Sequence, residues 1–247
     1  MKRVFLSLPI TVAACIVFIA CKKSSTSSTT TNATLPAMYS KFNSSLQVYT
    51  EGNYVVIKTT AIPDHKSPYF ATTDSRYEAY NGSNAGFMLN PNRIVEQNLT
   101  FKIPVTPAEA SSKQATPLGP IGVSLNGVPF FNQYAGPGTP LTNEINSFDQ
   151  YNGHPQQSGQ YHYHVEPLYI TGLKGKSSLL GVLLDGYPVY GPVENGVTLT
   201  SSNLDAYHGH TGATPEFPNG IYHYHITADA PYINGNGFWG TPGTVTQ

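Results

Sequence analysis

The chain has 247 residues, with 13 Lys and Arg against 14 Asp and Glu, a net charge of -1 and only 11% charged residues. That length allows one domain or two small ones with a sizeable core, and the near-neutral balance argues against a nucleic-acid binder, which needs a basic stripe to meet phosphates. Gly (23), Pro (20) and Tyr (17) are plentiful, a mixture that suits short strands joined by many turns and predicts an all-β chain, sandwich- or barrel-like.

At the N-terminus, Lys2 and Arg3 precede an apolar run from Val4 to Ala20, the charged segment and apolar segment of a secretory signal peptide over residues 1–20. The run ends Phe18-Ile19-Ala20-Cys21, which resembles a bacterial lipobox, and Cys21 is the expected lipidated first residue of the mature protein. An uncleaved helix is the alternative, at about 17 residues the short limit for a membrane span. Cys15 would leave with the signal peptide, so the mature chain keeps no free thiol, which excludes disulfides, thiolate ligands and cysteine nucleophiles. Lys22, Lys23 and the Ser/Thr-rich run from Ser24 to Thr34 complete a flexible tether over 21–34. The two lysines either favour an anionic membrane surface or are simply solvated. The expected location is the cell envelope, with the lipid in the membrane; resemblance to lipoproteins of Gram-negative bacteria points to the periplasmic face of the outer membrane.

The folded domain is expected over 35–247. Val55-Val56-Ile57-Lys58-Thr59-Thr60 is β-branched enough for a strand, and Asn98 to Val105 alternates as another. Pro63, Pro68, Pro91, Pro104, Pro107, Pro117 and Pro120 forbid long helices between. Within this half only Ile62-Pro63-Asp64-His65 carries a histidine.

The second half repeats itself with a period of about 60 residues. Gly122-Val123-Ser124-Leu125-Asn126-Gly127-Val128-Pro129 matches Gly181-Val182-Leu183-Leu184-Asp185-Gly186-Tyr187-Pro188. Asp149-Gln150-Tyr151-Asn152-Gly153-His154 matches Asp205-Ala206-Tyr207-His208-Gly209-His210, and Tyr161-His162-Tyr163-His164 matches Tyr222-His223-Tyr224-His225. Units of about 119–178 and 179–228 follow, expected to pack about a pseudo-two-fold axis over one core. Asn126-Gly127 and Asp185-Gly186 predict tight two-residue hairpin turns with positive φ.

In a strand, residues i and i+2 share a face about 6.6 to 7 Å apart. His162 with His164, and His223 with His225, can therefore converge on one metal ion while the tyrosines face the core. His154 and His210, from the preceding loop, can close each site as a third ligand, and His208 adds an imidazole to the second. Asp149 and Asp205 have two open roles: accepting the free ring N–H of a ligand histidine, or capping their own loop backbone. Glu166 lies four residues after His162 and is a candidate ligand or general base, or else a solvated glutamate before Pro167. Stacked tyrosine and histidine could also build a core without any metal. With no thiolate left, imidazole and carboxylate suit zinc or copper(II), with iron or nickel also accommodated.

At these residues the chain resembles the bacterial YHYH domain family, over roughly Tyr54 to Gly240. Further landmarks are Ile62-Pro63-Asp64-His65, the stretch from Gly122 to Pro129, Asp149 to His154, and Leu184 to Pro188. Family members often carry a cysteine before the Gly-His pair, where this chain has Tyr151-Asn152, so no thiolate role carries over. The resemblance implies a secreted or lipid-anchored domain with metal ligands and an uncharacterised activity, and it adds His65 to the candidate ligands. The leading expectation is a lipid-anchored metal-binding protein. A hydrolase or oxidoreductase using metal-bound water on an unknown small molecule is the alternative. A carbohydrate-binding or adhesive module is a third reading, which needs an exposed platform of Trp239 and tyrosines.

Overall fold

A computed structural model of the chain describes Met1 and residues 32–247; the run expected to be a signal peptide, Cys21 and the expected tether as far as Thr31 lie outside the described residues. Asn32 and Ala33 are already tied down. The Asn32 side-chain oxygen accepts from the Gly52 N–H at 2.8 Å, and the Ala33 N–H donates to the Gly52 carbonyl at 3.0 Å. Ordered contacts therefore start slightly before the expected boundary at Leu35, because the β-turn at Gly52 offers free backbone partners.

Gln47–Glu51 (β1) and Tyr54–Thr59 (β2) form the first hairpin, and Leu99–Pro104 (β3) pairs antiparallel with β2. Both sequence-predicted strands are present to within a residue. Glu109–Gln114 (β4) leads into the first repeat unit: Pro120–Ser124 (β5), Pro129–Phe131 (β6), Tyr134–Ala135 (β7), Thr139–Pro140 (β8), Gly153–Pro155 (β9) and Tyr161–Tyr163 (β10). After one short helix, Leu168–Lys174 (α1), the second unit follows the same plan. Its strands are Leu179–Leu183 (β11), Pro188–Tyr190 (β12), Val193–Glu194 (β13), Val197–Thr198 (β14), Gly209–Gly212 (β15) and Ile221–His225 (β16). A one-turn 3-10 segment stands at the same place in each unit, Glu144–Ser147 and Ser201–Asn203. Phe238–Gly240 (β17) pairs with β4, and Thr244–Thr246 (β18) closes the chain beside β3.

Eight strands make the central sheet in the order β15-β16-β12-β11-β5-β6-β10-β9, and β1-β2-β3-β18 make a second sheet. Read from the centre outward, the two halves of the central sheet list equivalent strands in the same order. The antiparallel pair β5–β11 sets Val182 opposite Val123, Gly181 opposite Ser124 and Leu183 opposite Gly122. Val123 and Val182 are equivalent in the repeat, so a local two-fold axis passes between them. Every residue of β5 and β11 is buried, which requires cover on both faces of the sheet. The two sheets share one core, with Val55, Ile57, Phe101 and Ile103 packed in the same cluster as Ile121, Val182, Tyr163 and Tyr224. Among the described residues no sheet closes into a barrel, so of the two architectures expected it is the open, layered one that forms. No helix of the described residues is long and apolar enough to cross a membrane.

The hairpin turns differ in one detail from the two-residue type expected. Only the glycines take positive φ, 84° at Gly127 and 87° at Gly186, whereas Asn126 and Asp185 do not. Each turn thus follows a three-residue pattern with glycine in the left-handed position. Asn126 and Asp185 serve through their side chains instead: Asn126 Nδ2 donates to the Tyr163 hydroxyl at 3.2 Å, and the Tyr224 hydroxyl donates to Asp185 Oδ2 at 2.6 Å.

Close backbone approach at the axis depends on glycine. A Cβ on Gly181 would run into the Val123 carbonyl oxygen and the Phe130 ring, whereas one on Gly172, within α1, would meet nothing. Gly181→Ala is expected to lower unfolding free energy by about 1–3 kcal/mol, as overpacking does. Gly172→Ala should be neutral or raise it by up to about 1 kcal/mol, the helix propensity gain. Urea unfolding of the two variants beside the parent protein checks both signs.

Candidate metal centres

Strand period two divides the Tyr-His-Tyr-His segments between two faces. Tyr161, Tyr163, Tyr222 and Tyr224 point into the core, and their hydroxyls find partners there. The Tyr161 hydroxyl donates to Asp149 Oδ2 at 2.8 Å and the Tyr222 hydroxyl to Asp205 Oδ1 at 3.0 Å. His154 and His210, expected in a loop, stand instead on edge strands β9 and β15 opposite His162 and His223, and glycine precedes each because a Cβ on Gly153 or Gly209 would collide with the ring of Tyr161 or Tyr222 beneath it. In this way the core tyrosine sets the path of the edge strand that carries His154 or His210.

On the opposite face the histidines are oriented through Nδ1. His162 Nδ1 faces the Gln160 carbonyl at 3.1 Å and His164 Nδ1 the Asn132 carbonyl at 2.6 Å. Their equivalents repeat the contacts, His223 with the Ile221 carbonyl at 3.0 Å and His225 with the Gly191 carbonyl at 2.8 Å. His154 Nδ1 meets Ser147 Oγ at 2.7 Å, and that hydroxyl already donates its hydrogen to the Glu144 carbonyl. Each of these partners can only accept, so each Nδ1 carries the proton and each Nε2 presents a bare lone pair.

Those lone pairs point at one another. Nε2 of His162 lies 3.1 Å from that of His154 and 3.0 Å from that of His164. Nε2 of His210 lies 3.1 Å from that of His223 and 3.2 Å from that of His225. In the first group no neutral tautomer puts a hydrogen between these pairs, and in the second a hydrogen on His210 Nε2 would serve only one of its two neighbours. Ligands at 2.0–2.1 Å around a tetrahedral ion stand about 3.3 Å apart, close to the spacing found here.

A carboxylate completes each group. Glu144 Oε1 is 3.3 Å from His154 Nε2; Glu194 reaches His210 Nε2 at 3.2 Å and His223 Nε2 at 3.4 Å. The two sets, Glu144-His154-His162-His164 and Glu194-His210-His223-His225, each keep one donor atom per residue within 4.8 Å of the others and could hold a metal ion. Buried imidazole with one carboxylate fits a borderline divalent cation and not magnesium or calcium, which take oxygen ligands. Five strand spacings, about 24 Å, separate β10 from β16 in the sheet, so the groups are independent and not a two-metal centre.

The family model described as YHYH protein matches residues 100–198 and 193–237, more than half of the chain. The chain belongs to the YHYH protein family. Neither the curated proteins nor the solved structures contain a significant match. Every residue of the two YHYH-strand clusters falls within the matched ranges, and His65 falls outside them.

Several sequence-derived candidates stand elsewhere. Glu166 is apart from both clusters: β10 ends at Tyr163, so the chain has left the strand before Glu166, whose carboxylate lies 3.7 Å from Lys176 Nζ. His208 occupies the left-handed position (φ 72°) that Asn152 takes in the first unit (φ 67°), and its Nε2 meets Ser201 and Thr227 hydroxyls, not the cluster. His65 is buried among Tyr151, Tyr161 and Tyr169, with Nδ1 on the Lys66 carbonyl and Nε2 accepting from the Tyr163 hydroxyl at 3.1 Å. Asp149 and Asp205 do not touch ligand histidines. Each Oδ1 accepts the N–H groups of its own loop, Tyr151 and Gly153 or Tyr207 and Gly209, the capping role. Trp239 offers no platform, since Tyr222 stacks on it at 4.4 Å and the Lys113 ammonium sits 3.7 Å from the ring centroid. Cys21 lies outside the described residues. Sequence reasoning missed Glu144 and Glu194. They occupy non-equivalent places, a 3-10 turn in one unit and β13 in the other, so the repeat gave no signal for them.

Burial keeps the imidazoles of His154, His162, His164, His223 and His225 neutral. His154 is lowered to about 3, first by desolvation and then by His164; His164 and His225 are lowered to about 4 by burial, and His162 falls well below its usual value. Desolvation raises the acids Glu144 and Asp149, and Asp185 to about 6. A depressed histidine makes the unfolded chain the better proton binder below pH 6.5, so stability falls with pH from there towards 4; raised acids act oppositely but are outnumbered. Metal-stripped protein should therefore melt progressively lower between pH 7 and 4.5, read by circular dichroism. An unchanged or rising melting temperature over that window would contradict neutral buried histidines.

Proposed function

We propose that this protein is a cell-envelope lipoprotein that binds a divalent transition metal ion at each of its two His3Glu centres. The observation that carries the reading is the convergence of three imidazole Nε2 atoms in each repeat unit, with neighbours 3.0–3.2 Å apart and the strand histidines bare at Nε2 because backbone carbonyls hold their Nδ1 protons. Without a cation, each buried lone pair would forfeit a partner at about 1–3 kcal/mol. A carboxylate supplied to each triad from a different element supports the same reading, since nothing in the repeat requires it. The donor set favours zinc or copper(II), with iron and nickel also within its range. Lipid on Cys21 would hold the domain at the membrane, a role supported by the Phe18-Ile19-Ala20-Cys21 run.

Full-length chain purified without a histidine tag should carry, or take up on titration with zinc or copper(II), two metal ions by elemental analysis. His162→Ala and His223→Ala should each lose one, with circular dichroism confirming the fold. Protein that neither carries nor acquires metal would overturn the reading in favour of a purely structural tyrosine–histidine core. Cys21→Ala should shift the protein from the membrane to the soluble fraction, and retention at the membrane would refute the lipid anchor.

A further inference from the structure

The two centres share a scaffold but differ in how they meet solvent. In the first, His154, His162 and His164 are all buried, the His154 side chain at 3% exposure. Phe131 stacks on His162 at 3.9 Å and 22°, and Phe148 covers His154 edge-on at 4.7 Å. A broad cleft of about 650 Å³ lies outside this centre but ends on Glu144 and Ser147, and none of the three histidines lines it.

In the second centre the same positions are filled differently. Tyr190 stands where the first unit has Phe131, and Leu204 where it has Phe148. Tyr190 is turned edge-on to His223, 5.3 Å and 78°, its hydroxyl drawn away to Thr214 Oγ1 and Glu216 Oε2, each at 2.8 Å. With no ring laid over the imidazole, a cleft of about 190 Å³ opens directly onto His223, His225 and Glu194. The His210 side chain is 33% exposed, against 3% for its equivalent His154. The remaining cleft wall includes Ser177, Asn195 and Thr214, neutral polar groups able to hydrogen-bond a small occupant.

We propose that the two metals do different work: the first centre is a structural site whose imidazoles are shut off from solvent and which meets a cleft only through Glu144, and the second is an exchangeable centre whose metal accepts a small anionic or carbonyl oxygen donor from the cleft beside Tyr190. The proposal rests on the metal-binding reading above. Three imidazoles and Glu194 leave room for a further ligand on the cleft side, since zinc expands to five-coordination and copper(II) takes additional tetragonal ligands. Through Ser177, Asn195 and Thr214 the cleft would orient that ligand by hydrogen bonds.

The test loads the full-length chain with two equivalents of cobalt(II) and follows its visible bands, using azide as the exogenous donor and EDTA as the competitor. Azide is expected to perturb the bands of one cobalt of the two, and EDTA to remove one fast and the other at least tenfold more slowly. His210→Ala, and independently Glu194→Gln, should abolish or weaken the azide-responsive, fast-exchanging component and leave the slow one. His154→Ala should do the reverse. Two cobalt ions that exchange at one rate and respond alike to azide would overturn the division of roles while leaving the metal reading intact. So would a fast component lost in His154→Ala. Failure to bind cobalt at all would defeat the metal reading and this proposal with it.

Discussion

A strand that alternates tyrosine and histidine must satisfy polar groups on two faces at once. Inside the core each tyrosine hydroxyl needs a partner, and an orphaned one would cost about 1–3 kcal/mol. Asp149, Asp205, Asp185 and Asn126 with His65 supply those partners, and all of them lie in turns or loops. The hydroxyls thereby fasten the loops to the strands. On the other face, backbone carbonyls take the Nδ1 protons, which leaves Nε2 as the one free valence of each imidazole. The loops held from within lead directly into β9 and β15, which carry His154 and His210, so core satisfaction and imidazole convergence are two results of one arrangement.

Much of this was legible because it is local. The strands at Tyr54–Thr59 and Leu99–Pro104 follow from β-branched and alternating composition, and the paired His-x-His strands from period two. The third histidine of each group was readable from the repeat. What failed was extrapolation past a local boundary. Glu166 was placed on the histidine face by counting i+4 along a strand that stops at Tyr163. His208 looked like an extra ligand, but its position in the unit is a left-handed turn site that Asn152 fills equally well. Glu144 and Glu194 come from segments ten or more residues from any ligand histidine, and side chains brought together by tertiary packing leave no periodic trace.

Both centres sit at the margins of the central sheet, bridging its outermost strands β9 and β15 to their neighbours β10 and β16. Edge strands are the least secured part of a sheet and the most open to unwanted pairing. β9 holds three residues and β15 four, too few for backbone hydrogen bonds alone to fix firmly. An ion shared between edge and neighbour would hold each margin in register, which gives the first centre a purpose even though none of its imidazoles faces a cleft.

The pairing of Val123 with Val182 has a different implication. A sheet whose middle pair is self-complementary offers the contact that two identical chains would use to form a C2 dimer, in which residue i meets j and j meets i. Such a dimer would be bound to symmetry, since any change near one centre would appear at both. With both halves in one polypeptide that obligation is gone. One half can take its carboxylate from Glu144 and lay Phe131 over an imidazole, while the other takes Glu194 and turns Tyr190 aside. Covalent union thus converts a symmetric framework into one able to hold two unlike environments at a fixed separation.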